Sequence, residues 1–98
     1  MNLLCVAAGI AAVVAWSHQV LAASEPPPGA ASCSGCHSPE ATAASPVVRL
    51  YGRDAGAIAT AMAGFRDGSL PATVMARIAK GFSDDESRAI AAWLAAQK

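Results

Sequence analysis

The chain has 98 residues, with 7 basic and 7 acidic side chains and a formal net charge of zero. That length sets a ceiling of one small domain. No basic stripe offers itself to nucleic acid, and no acidic tract suggests a calcium site. Hydrophobic residues make up 54% of the whole, but many of them lie in one N-terminal stretch.

That stretch runs from Leu3 to Trp16. It is short for a membrane-spanning helix, which needs ~20 residues. It suits the apolar core of a secretory signal peptide, with the small residues Ala22 and Ala23 beyond it as cleavage positions. His18 and Gln19 interrupt the run, which favours cleavage over a retained anchor helix. The expected division is residues 1–23 as signal peptide, 24–29 as a Pro-rich leader and 30–98 as the functional domain. Cys5 falls within the signal and is read as a spectator. The mature protein is expected in the periplasm, with no stable membrane insertion.

Glu25-Pro26-Pro27-Pro28-Gly29 reads as a stiff spacer. Ala30 to His37 is expected to form a short helix that ends at Ser38-Pro39, because the residue before proline is pushed out of the helical region. Residues 39–53 read as loop, with Val47-Val48 briefly extended. Asp54 is a good N-cap for a helix over about Ala55–Arg66, whose apolar face is Ile58, Met62 and Phe65. Asp67-Gly68 stops it. A third helix is expected over about Ala72–Lys80, closed by Gly81. Ser83-Asp84-Asp85-Glu86 is a capping box. It opens a last helix to about Ala96, with Ile90, Trp93 and Leu94 as its buried stripe. There is no convincing strand and no repeat, so the fold is expected to be all-α: short helices around something.

Cys33-Ser34-Gly35-Cys36-His37 says what that something is. In Cys-x-x-Cys-His each thiol adds to a haem vinyl group, and the adjacent histidine is delivered to one face of the iron. A zinc site would need a further ligand, and the expected mature chain has no other Cys or His. A thioredoxin-like pair would sit in a larger βαβ context. A structural disulfide would close a tiny loop and leave His37 without a role. One covalent haem c explains all three residues. It also supplies the staple that so short a mature chain needs.

The sixth iron ligand needs a soft or nitrogenous side chain. No second mature histidine exists, which leaves Met62 and Met75. Met62 suits a core-filling role on its helix face. Met75 follows Asp67-Gly68-Ser69-Leu70-Pro71, a loop able to cross an open haem face, and is the preferred ligand. The Pro46 carbonyl is a candidate partner for the second ring nitrogen of His37. Of Arg49, Tyr51 and Arg53, one is expected to meet a haem propionate, with Arg53 the one most readily explained as merely solvated.

These residues carry a resemblance. A Cys-x-x-Cys-His site near the mature N-terminus, a later methionine and a C-terminal amphipathic helix with an aromatic resemble class I cytochrome c. More narrowly, Phe65–Gly68, Pro71–Asp84 with Thr73-Val74-Met75-Ala76-Arg77-Ile78-Ala79-Lys80-Gly81 inside it, and Ile90–Leu94 resemble the cytochrome subunit of flavocytochrome c sulfide dehydrogenase. The resemblance implies that Met75 is the axial ligand and that the partner is a flavoprotein carrying FAD. It implies single-electron transfer with no catalysis of its own, electrons passing on to an acceptor such as another cytochrome. Ser38 stands where relatives commonly have glycine, and Ala57-Ile58 where they often have Tyr-Leu; some relatives carry two haem domains. Two other functions stay open on the residues alone: a free periplasmic electron shuttle for another oxidoreductase, and an open-site haem enzyme or gas sensor.

Overall fold

A computed structural model describes residues 25–98. The expected signal peptide, with Cys5 and the cleavage positions, lies outside them. Among the described residues the secondary structure is helical, with no strand. Four α-helices follow in order: α1 (Ala30–Cys33), α2 (Ala55–Asp67), α3 (Met75–Ile78) and α4 (Asp84–Ala95), with a 3-10 turn over Ala79–Gly81. None of them is long and apolar enough to cross a membrane.

The expected Ala30–His37 helix is shorter than its sequence suggested. The Ser32 and Ser34 hydroxyls bond back to the carbonyls of Gly29 (2.6 Å) and Ala31 (2.8 Å), competing with the helical ladder. Gly35 then adds no helix propensity. The chain still keeps turning, as the amides of Gly35, Cys36 and His37 reach Ser32 O (3.3 Å), Cys33 O (3.3 Å) and Cys33 O (2.9 Å).

Helix α2 starts where its cap was expected, with Asp54 accepting from the Ala57 amide at 2.8 Å. It ends at Asp67, where Gly68 takes the left-handed φ of 85° that favours glycine. Ser69 then bonds the Asp67 carboxylate and holds its pKa below the ordinary carboxylate range. That contact is in place above the ordinary range and lost as pH falls through the lowered value.

The third helix is a correction. It begins at Met75, not Ala72. No Ser, Thr, Asp or Asn stands at Leu70 or Pro71 to cap an earlier start. Thr73 and Val74 are β-branched, which disfavours a helix there further. Its expected C-terminal part tightens into the 3-10 turn, where Phe82 donates to Ala79 O at 3.2 Å.

Helix α4 carries the complete capping box. The Ser83 hydroxyl accepts from the Glu86 amide at 3.1 Å, and the Glu86 carboxylate accepts from the Ser83 amide at 2.7 Å. Arg66, near the end of α2, bonds Phe82 O at 2.8 Å and pairs with Asp84, so α2 is tied to the start of α4. Ser83→Ala is expected to cost about 1 kcal/mol of stability. Urea unfolding of the holoprotein checks this, as a lower midpoint at an unchanged slope.

The core is small. Ala30, Ile58, Ile90, Ala91 and Leu94 form it, with Leu50, Tyr51, Phe82 and Trp93 packed around. The main helix pair is α2 on α4, while α1 rests on α4 and α3 on α2. Tyr51 meets Trp93 edge to face, with ring centres 5.8 Å apart. The Gly52 amide donates to Leu94 O at 3.0 Å, fixing the end of the long loop to the end of α4.

Candidate functional site

Cys33, Cys36 and His37 stand on one continuous turn, as the spacing requires. Both cysteines are free thiols, Cys33 half-buried and Cys36 exposed. Burial pushes the Cys33 thiol pKa up. An attacking thiol of a redox pair has its pKa lowered instead. The half-buried Cys33 thiol lacks that activation.

His37 is oriented by the backbone. Its Nδ1 lies 2.6 Å from the carbonyl oxygen of Val48. A carbonyl only accepts, so Nδ1 carries the proton, and Nε2 keeps a free lone pair for a metal. This corrects the expected acceptor, the Pro46 carbonyl. The acceptor is two residues further on because the loop first makes tight turns, with Ala41 N on Ser38 O (3.0 Å) and Ser45 N on Thr42 O (3.0 Å). Which carbonyl faces His37 depends on that path, and no side-chain type at Pro46, Val47 or Val48 announces it.

Pro46 lines a shallow cavity of about 320 Å³ with Cys36, Ser38, Glu40 and Val47. Arg49 and Tyr51 line a neighbouring cavity of about 450 Å³ with Val48 and Arg53. Arg49 is half-buried, and its Nε is a buried donor with no hydrogen-bond partner. Such an orphan is costly unless something pairs with it. Arg53 is exposed, in line with a solvated role. Tyr51 spends its ring on Trp93.

Met75 is the first residue of α3 and is half-buried. Met62 is half-buried on α2. His37 and Met75 stand on different supports, the one following α1 on α4, the other on α3 against α2. The large aliphatics beside them in sequence are exposed. Val48 carries the His37 acceptor and Val47 precedes it, Val74 and Ile78 bracket Met75, and Leu70 comes before that helix. Val74 is 61% exposed, while Leu94 in the core is 2% exposed. A chain with so small a core gains by covering such side chains with an apolar group.

The residues therefore fit a haem on three counts. Two thiols share a turn, an imidazole offers its free nitrogen beside them, and an orphaned guanidinium donor waits for an anion such as a propionate. Among the described residues, no group of three His, Cys, Asp or Glu is placed to hold a bare metal ion.

Comparison with known proteins agrees with this class of site. The chain is 40% identical over 60 residues to the cytochrome subunit of sulfide dehydrogenase from Chlorobaculum tepidum. The match takes in 61% of this chain and spans about half, 54%, of that relative's length. It is the same subunit type that the Met75 segment resembles. No protein-family model and no solved structure matches the chain.

Proposed function

We propose that the chain is a periplasmic monohaem c-type cytochrome that passes single electrons as the cytochrome subunit of a sulfide-oxidising flavocytochrome. The observation that carries this reading is the Cys33–His37 turn, with His37 Nδ1 fixed on Val48 O and Nε2 free. The likeness to the sulfide dehydrogenase subunit supports the choice of partner.

Cys33 and Cys36 would hold the haem by two thioethers, and His37 and Met75 would take the axial positions. When bound, the haem supplies a one-electron couple at iron. The chain's part is to set that couple and close it. Val48 O holds the imidazole in one tautomer and one orientation, which raises its basicity as a ligand. Met75 as an iron ligand would favour the reduced state and close the iron to substrate, which suits a protein that carries electrons without catalysis of its own. Arg49 Nε would bond a propionate and offset its charge. The exposed aliphatics would exclude water on closing over the macrocycle, which strengthens each of these interactions.

Arg49→Gln tests the propionate contact. Removing the cation stabilises the oxidised, more positive state, so the midpoint potential falls. The expected fall is on the order of 0.05 V, close to the ~59 mV of a tenfold change in a one-electron equilibrium. Potentiometric titration of the holoprotein checks it, and an unchanged potential assigns the orphaned donor elsewhere.

The proposed role itself is tested by mixing holoprotein with sulfide. Reduction of the haem spectrum should require the flavoprotein subunit of a sulfide dehydrogenase and proceed rapidly in its presence. Failure with the flavoprotein, or equal reduction by any flavoprotein, contradicts it.

A further inference from the structure

The segment that delivers Met75 leaves α2 at Gly68 and folds back against the helix it has just left. The Leu70 amide donates to the carbonyl of Gly64 at 3.0 Å, one turn before the helix end. Gly64 is buried. A Cβ placed there would lie 3.0 Å from Leu70 Cβ, 3.3 Å from Ser69 Oγ and 3.7 Å from the Leu70 amide nitrogen. Leu70 Cβ is fixed to its backbone and cannot rotate away, so the loop itself must yield by a few tenths of an ångström. From Leu70 only Pro71, Ala72, Thr73 and Val74 intervene before Met75. Pro71 has a fixed φ and transmits a shift instead of absorbing it. At the far end, Val74 O accepts from the Arg77 and Ile78 amides at 3.0 and 3.1 Å, so Met75 moves with the short helix it begins. That helix is itself packed on α2.

We propose that Gly64 is a positioning residue for the Met75 thioether: the missing side chain lets the 69–74 segment sit close enough to α2 to place the sulfur on iron. The inference rests on the reading of Met75 as axial ligand. It goes beyond that reading in naming what sets the ligand's distance. Helix formation gives no reason for a glycine here, since alanine is the better helix former. Close approach of Leu70 does give one.

The test uses the holoprotein with Gly64→Ala, and imidazole as a competing ligand. The oxidised wild type should show the long-wavelength sulfur-to-iron charge-transfer band. In the variant this band should weaken, and the apparent imidazole dissociation constant should fall about tenfold, equivalent to ~1.4 kcal/mol. A purely structural effect would lower the denaturation midpoint and leave imidazole affinity alone. Leu70→Gly removes the atom that the new Cβ meets. Gly64→Ala added to Leu70→Gly should therefore change imidazole affinity no further, which also decides the matter if the single variant does not accumulate. An unchanged affinity in Gly64→Ala, an equal tenfold gain in the Leu70→Gly background, or a double variant that fails to accumulate while Leu70→Gly does, overturns the proposal while Met75 ligation stands. Absence of the band in the wild type overturns both.

Discussion

Met75→Ala is expected to lower the midpoint potential of the holoprotein by on the order of 0.2 V, a fraction of the ~0.8 V over which axial ligands move haem potentials. The thioether is a weak, soft donor that stabilises the reduced state. Taking it away exchanges that donor for water or for whatever base is nearby. The sixth position then opens, so cyanide should bind the oxidised variant rapidly where it binds the wild type slowly. Met62→Ala is the comparison. Met62 sits half-buried on α2, outside the core cluster, and its truncation should cost less than the ~2–5 kcal/mol of a fully buried methionine, with little change in potential. The opposite pattern, a large potential change from Met62→Ala and none from Met75→Ala, would exchange the two roles. A wild type that already takes up cyanide rapidly would revive the open-site enzyme or sensor.

The second large effect belongs to the cysteines. Replacing both Cys33 and Cys36 by Ala should leave a chain that does not fold cooperatively. Beyond alanine, the buried apolar core of the described residues comprises Ile58, Ile90 and Leu94. Three large apolar side chains make a thin core for a domain of this size, so the core needs help. Small domains find it in a staple. Far-UV circular dichroism through a denaturant titration should show a broad, non-cooperative loss of helix for the double variant. Cys36→Ser alone should retain one thioether and the fold, with a lowered midpoint. Cys36 is exposed while Cys33, like Leu50 and Phe82, packs against the core, so Cys33→Ser should be the more damaging single change. A double variant with a wild-type midpoint would contradict the staple.

What the sequence made legible follows from how local each signal is. Asp54, the Ser83–Glu86 box and Gly68 act on amides within one turn, and all three ends fall within a residue or so of expectation. The Ile90 and Leu94 stripe repeats at helical spacing, and both are buried. The start of α3 is not legible because nothing local caps it; the helix packs on α2, a contact the local sequence does not announce. The acceptor of His37 lies two residues beyond the expected Pro46 because a carbonyl carries no side-chain label and its direction follows from the two turns before it. The close approach at Gly64 leaves no local mark in the sequence. Its partner, Leu70, is brought back by the Asp67–Ser69 turn, and a glycine inside a helix pattern reads first as a weak helix former. Arg49 stood out only as one cation among three. Its burial and its unpaired Nε separate it from exposed Arg53.

The account stands on the Cys33–His37 turn carrying a covalent haem. Its most direct test is the intact mass of the protein matured in a host competent for cytochrome c assembly. The predicted result is one species heavier than the polypeptide by a single haem, with neither Cys33 nor Cys36 open to alkylation and the haem resistant to acid–acetone extraction. A chain at polypeptide mass, with both thiols alkylated or the haem extractable, would contradict it.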